Sequence, residues 1–162
     1  RIFSRQDRLN EYEKVDINWL INESFVLLQE TLRLERIDVK KELAESLPQV
    51  FCDYIRIEQV ITNLLSNAKD ALQVSDVKQL VVRSYQRDNN VFIEVEDSGK
   101  GIPKAIIGKI FDPFFTSKAV GQGTGLGLSI SYTIIQEHRG TLAAYSKEDE
   151  GACFTISLPI AT

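Results

Sequence analysis

A chain of 162 residues has room for one ordinary domain, which buries about 70% of the surface its unfolded form exposes. Hydrophobic residues at 43% and charged residues at 26%, with only nine glycines and four prolines, exclude disorder, collagen-like repeats and low complexity. No apolar run approaches the roughly 20 residues of a membrane span, and a net charge of -4 removes any bulk attraction for nucleic acid or anionic lipid.

Arg1 to Lys14 is dense in charge with scattered apolar residues and reads as a connector. The chain opens at Arg1 and holds no methionine, from which a segment of a longer protein is expected. Leu20, Ile21, Phe25, Leu28 and Leu32 follow a helical period behind Asp16, a suitable N-cap, so the spacing predicts a helix over 17–35. Ile37, Val39 and Leu43 suggest a strand, and Pro48 to Cys52 a second short one. Asp53 then caps a longer helix with the stripe Ile57, Val60, Ile61, Leu64, Leu65, Ala68, Ala71 and Leu72. Leu80 to Gln86 and Val91 to Val95 alternate around Asp88-Asn89-Asn90 as a hairpin.

Residues 98–124 hold five glycines, two prolines, four lysines and a single aspartate, a basic loop of the length that serves as a lid or binding loop. Leu126 to Glu137 is again helical, with Gly140 expected as its C-terminal cap, and Leu142 to Tyr145 and Cys153 to Leu158 close the chain as strands. Irregular alternation of helices and strands predicts a two-layer α/β sandwich, a mixed sheet with helices on one face. Cys52 and Cys153 are too few for a disulfide framework and read as small buried apolar residues in a reducing compartment.

Three groups can carry chemistry. On the long helix, Asn63, Asn67 and Asp70 line up beside the apolar stripe; two amides and a carboxylate suit a hard cation such as Mg²⁺, and equally describe a solvated polar face. Asp97-Ser98-Gly99-Lys100-Gly101-Ile102-Pro103 follows an apolar strand. There Asp97 can accept from an exocyclic amine while the glycines admit a flat ring, or the segment is a plain turn. Gly121-Gln122-Gly123-Thr124-Gly125-Leu126-Gly127 opens a helix, where free backbone N–H groups and the helix dipole favour phosphate. It is neither a Walker loop, since no Gly-Lys-Ser/Thr follows, nor a dinucleotide fingerprint, since no strand immediately precedes it.

In this order the groups resemble the ATP-binding domain of the superfamily of gyrase-type ATPases, heat-shock chaperones, mismatch-repair ATPases and sensor histidine kinases, most closely the kinases. Asn63 to Ala71 resembles their N box and Asp97 to Gly101 their first glycine box. Phe111-Asp112-Pro113-Phe114-Phe115-Thr116-Ser117-Lys118 resembles their F box and Gly123 to Gly127 their second glycine box. The likeness covers about residues 16–160 and implies the Bergerat sandwich with a long ATP lid. Residues 1–15 are then the end of a dimerisation helix with its linker, and 16–162 the catalytic ATP-binding domain.

By that resemblance Asn67 ligates Mg²⁺ and Asn63 contacts the phosphate end of ATP, with Asp70 beside them where many relatives carry a basic residue. Asp97 takes the adenine amine, Gly99, Gly101 and Ile102 lie against the ring, and Lys118, Gly123, Thr124, Gly125, Leu126 and Gly127 hold the phosphates. Arg139 stands where the family often has a first glycine and receives no role. The implied activity is transfer of the γ-phosphate to a histidine on a separate dimerisation domain, in a bacterial, homodimeric, cytoplasmically active parent whose membrane anchoring stays open. Its implied further partner is a response regulator receiver domain, with no nucleic acid.

The chain's single histidine, His138, falls at a helix end and reads as structural, so no phosphoacceptor is expected here. Two rivals stand beside this reading. A gyrase-type ATPase resembles the chain but needs a Glu base where Asn63 stands. A non-catalytic nucleotide-binding or protein-docking module, a degenerate kinase, would bind ATP and transfer nothing.

Overall fold

The structure is a computed structural model that describes residues 11–115, 127–146 and 149–162. Its main sheet has five strands: β2 (Asp38–Leu43), β4 (Gln79–Arg87), β5 (Asn90–Asp97), β6 (Thr141–Ser146) and β7 (Ala152–Pro159). Their order across the sheet is β2-β4-β5-β7-β6, with β2 parallel to β4 and every other pair antiparallel. Among the described residues four α-helices accompany it: α1 (Ile17–Phe25), α2 (Gln29–Leu34), α3 (Tyr54–Leu72) and α4 (Gly127–Glu137). This is the mixed-sheet, two-layer α/β sandwich that the sequence predicts.

The longest helix sets the core. Asp53 caps α3 by accepting from the Arg56 N–H at 3.5 Å. Ile57, Val60, Ile61, Leu64, Leu65, Ala68 and Leu72 are all buried against the inward row Leu80, Val82, Val91, Ile93, Val95, Phe154, Ile156 and Leu158. Full burial of each large side chain in that stripe contributes about 1.5–3 kcal/mol. Only Ala71, at the edge of the stripe, is half-buried, and it lies beside the polar residues of the same helix. The opposite face of the sheet carries Arg83 between Glu42, Glu94 and Glu96, and among the described residues no α-helix packs on it.

Several expectations are corrected in detail. The helix predicted over 17–35 is two, because the chain turns at Val26 to Leu28 through short i to i−3 bonds, Val26 N to Glu23 O and Leu28 N to Phe25 O. Ser24 donates to the Leu20 carbonyl just before the break, and such back-bonding bends helices. Leu32 is thereby buried while Leu27 is left in solvent. Glu13–Val15, placed with the connector on sequence, form β1, which pairs antiparallel with β3 (Val50–Cys52). The predicted hairpin turn shrinks to Asp88-Asn89, since Asn90 already pairs with Arg87.

At the end of α4, Arg139 rather than Gly140 takes the left-handed conformation, with φ of 59°. Arg139 N bonds to Gln136 O and Gly140 N to Ile135 O, the paired bonds of a Schellman motif. Gly140 is needed for space, since a Cβ there would collide with the Ser157 carbonyl. Cys52 is buried, and burial beside Asp53 pushes its thiol up to about 12; Cys153, however, is half-buried on the uncovered face. No helix among the described residues is long and apolar enough to cross a membrane.

Candidate functional site

The Asp97 turn, at Gly99, and the described end of the third group, Gly127, both meet α3. Near its middle, Asn63 reaches α4: Nδ2 donates to Ser131 Oγ at 3.2 Å, and a Cβ on Gly127 would lie 2.7 Å from Asn63 Oδ1. Two turns on, the backbone of Gly99 packs against the Ala71 carbonyl, where a Cβ would come within 2.6 Å. The chain has no room for any other residue at that approach. Asn67 and Asp70 lie between these two contacts, half-buried on the same helix. From Asn63 to Ala71 the helix rises about 12 Å.

Asp97 ends β5 and is 5% exposed. Its Oδ1 accepts from Gly99 N at 2.8 Å, and the Ala152 backbone also donates to the carboxylate. Burial raises its pKa above the usual 3.8, and these two backbone bonds offset the rise only in part. Gly101 has φ of 73°, a conformation that favours glycine. The next residue, Ile102, packs on the core and donates its N–H to Ser146 Oγ at 2.6 Å. Ser146 in turn donates to the Gly151 carbonyl at 2.7 Å, so the first glycine box is tied to β6 and to the turn before β7.

Lys69 bridges the far end of the site, 3.2 Å from Asp70 Oδ1 and 3.8 Å from Glu35 Oε2. The carboxylate at position 70 thus has a cation beside it from its own chain. Of the F box, Phe111 stacks on Tyr132 of α4 with centroids 5.4 Å apart and meets Phe154 edge-on at 6.4 Å. Phe114 is 73% exposed with φ of 67°, a strained backbone for a bulky residue. Lys118, Gly123, Thr124, Gly125 and Leu126 lie outside the described residues; Gly127 is the first residue of α4.

His138 closes α4 at the opposite end and is 7% exposed. Nδ1 lies 2.8 Å from the Ile134 carbonyl and Nε2 accepts from the Asp53 N–H at 3.2 Å, which specifies a neutral ring protonated at Nδ1. Tyr12 stacks on the ring at 4.9 Å, and Arg56 pairs with Glu137 at 2.6 Å next to it. Burial lowers the histidine pKa below 6.5, an effect the Ile134 bond partly offsets. Both ends of α4 are therefore joined to α3, by His138 at one and Asn63 at the other.

Sequence reasoning missed Ser131, Ser146 and the backbone groups of Ala71 and Ala152. Ser131 had a signal, since it lies four residues after Gly127 and so on the same face of α4. The others act through partners distant in sequence. A depression of about 760 Å³, lined by Val81, Glu96, Tyr145 and Cys153 on the sheet face that carries Arg83, reaches Asp97, Ser146 and Gly151.

Among the described residues no cluster of three His, Cys, Asp or Glu side chains could hold a metal by itself. The donor set still fits Mg²⁺, which keeps several waters and binds through one or two protein oxygens together with substrate phosphates. Asn67, with Asp70 nearby, offers oxygens of that kind.

Residues 52–162 match the family model of histidine kinase-, DNA gyrase B-, and HSP90-like ATPases. The chain belongs to that family. It is 39% identical over 98% of its length to the signal transduction histidine-protein kinase AtoS of Escherichia coli K12, covering 25% of that protein. To the sensor histidine kinase ZraS of the same organism it is 37% identical over 91% of its length, covering 31% of that protein. The chain thus spans a quarter to a third of these relatives. Among solved structures, the nucleotide-free catalytic domain of histidine kinase ThkA matches 93% of this chain and 99% of its own with a TM-score of 0.82 at 35% identity. ThkA in complex with the response regulator protein TrrA matches 93% of this chain and 42% of its own, with a TM-score of 0.78 at 33% identity.

Proposed function

We propose that this domain binds Mg-ATP and donates the γ-phosphate to a histidine on a separate dimerisation domain, as the catalytic part of a two-component sensor kinase. The observation that carries the reading is the convergence on α3 of the Asp97 turn, the amide pair and the first turn of α4, within a span that suits an extended nucleoside triphosphate. Asp97 accepts the adenine amine, a further donor for a carboxylate that burial disfavours and that already accepts from Gly99 and Ala152. Gly99 and Gly101 keep the backbone clear of the ring, with Ile102 beside it. Asn67 holds the cation, Asn63 and Asp70 stand next to it, and Lys118 with residues 123–127 holds the phosphates. Bound Mg²⁺ would neutralise charge on the phosphate oxygens, which is most of what phosphoryl transfer asks of a protein.

His138 is unsuited as the acceptor, because it is buried and both ring nitrogens are engaged. The phosphoacceptor then belongs to another domain, to which residues 1–15 lead as the end of a helix and a linker, the last three already paired in β1. A response regulator receiver domain follows as the next partner, by analogy with the ThkA complex. The parent is read as a homodimer with this domain in the cytoplasm. Gyrase-type hydrolysis fits less well, since an amide tied to Ser131 stands where that chemistry needs a carboxylate base.

Calorimetric titration with a non-hydrolysable ATP analogue, with and without Mg²⁺, tests the site. Metal-dependent binding in the micromolar range is expected, and Asn67→Ala should lose at least about tenfold of it, the equivalent of one charge-assisted contact. Absence of binding at millimolar analogue would overturn the kinase reading in favour of a protein-docking module. Unchanged metal dependence in the variant would overturn the role of Asn67 alone.

A further inference from the structure

Asn63 stands one turn before Asn67, yet its side chain is held by α4. Nδ2 donates to Ser131 Oγ at 3.2 Å, and Ser131 is 2% exposed. The remainder of the amide fills the place where Gly127 has no side chain, since a Cβ there would lie 2.7 Å from Oδ1 and 3.1 Å from Nδ2. Gly127 and Ser131 are one turn apart on the same face of α4. Together they form a notch, open at the glycine and closed by the hydroxyl, into which the Asn63 amide fits.

We infer that Ser131 is a positioning residue for the nucleotide site: it fixes the orientation of the Asn63 amide and, through the notch, the seating of the first turn of α4 against α3. The inference rests on the nucleotide reading above and adds a residue to it. With Nδ2 committed to Ser131, Oδ1 faces the start of α4, where backbone N–H groups lack helical partners. An acceptor at that point also suits a phosphate-bound cation, whereas an amide turned by 180° would present a donor to both. Ser131→Ala removes the hydroxyl that anchors the amide in this orientation and changes the packed volume by one oxygen atom. The loss therefore falls on the metal-dependent part of nucleotide affinity.

The test compares wild type, Ser131→Ala, Asn63→Ala and the double variant by titration of a non-hydrolysable ATP analogue with Mg²⁺ and with chelator. Loss of one net hydrogen bond corresponds to a fall of roughly two- to tenfold. Ser131→Ala should show that fall with Mg²⁺ and little change in chelator, and should add nothing in the Asn63→Ala background. In the nucleotide-free protein, the side-chain amide protons of Asn63 should shift towards solvent-exposed values in Ser131→Ala. A lowered melting temperature with an unchanged ratio of the two affinities, or full additivity of the two substitutions, would overturn the inference by reducing Ser131 to a packing residue. An unshifted Asn63 amide signal would overturn the notch itself. If wild type bound no nucleotide, the function proposed above would fail, an outcome distinct from wild type and Ser131→Ala binding alike.

Discussion

Replacing His138 by phenylalanine keeps a planar ring against Tyr12 and removes both ring hydrogen bonds. The Nδ1 bond to the Ile134 carbonyl is worth about 1 kcal/mol, and that carbonyl keeps the backbone N–H of residue 138 as a donor. The Asp53 N–H has no such substitute: losing its acceptor inside a buried joint costs about 1–3 kcal/mol. With the stacking retained, the sum is about 2–4 kcal/mol, which lowers the melting temperature of a domain of this size by about 5–15 °C. Calorimetric melts of both proteins at several pH values between 8 and 5 supply a second readout. His138 has a depressed pKa in the fold, so the unfolded chain binds the proton first. Its contribution is therefore complete above pH 6.5 and is lost as pH falls, with a slope of at most about 1.4 kcal/mol per pH unit. Asp97, with a raised pKa, acts in the opposite direction, but does so in both proteins and cancels in the difference. His138→Phe should thus approach wild-type stability as the pH drops. A constant stability gap across the range would refute the assignment of a neutral, accepting Nε2.

Asp97→Asn should weaken binding of the ATP analogue by about tenfold or more while leaving the melting temperature at pH 7 unchanged or slightly raised, because a desolvated charge is removed. Retained affinity in a titration would return Asp97 to the role of a turn residue. Gly99→Ala sets a methyl 2.6 Å from the Ala71 carbonyl, so the turn must move from α3 at a cost of about 1–3 kcal/mol, measurable by urea unfolding. Equal midpoints for the two proteins would mean that the approach is slack. Arg139→Gly should stabilise by about 1 kcal/mol, since a positive φ of 59° strains any residue with a Cβ. A lower melting temperature for that variant would show that the arginine side chain compensates for its backbone.

Much of the architecture is legible locally. The 3.6-residue spacing of Ile57, Val60, Ile61, Leu64 and Leu65 needs only the geometry of a helix to place one face inward, and every one of them is buried. The alternation around Asp88-Asn89 defines β4 and β5 in the same way, because strand periodicity is a property of the chain itself. The family motifs are equally readable, since each depends on residue types at short spacing. The same period misleads at Val26 to Leu28, where the apolar stripe continues through a break in the backbone.

Contacts between distant segments decided the rest. Local pattern does not say that β7 inserts between β5 and β6, or that β2 runs parallel along the edge of β4, because those pairings join residues separated by whole elements. Nor does it separate Arg139 from Gly140 as the left-handed residue: the glycine is held for its small size by the Ser157 carbonyl, a neighbour known only after folding. The sequence by itself determined the long helix α3, the hairpin and the residue types of a nucleotide site, since these follow from periodicity and side-chain chemistry. Tertiary structure alone decided that Asp97 is buried, that Asn63 is held by Ser131, and that His138 joins the two helices, because burial and hydrogen-bond partnership exist only between surfaces brought together by the fold.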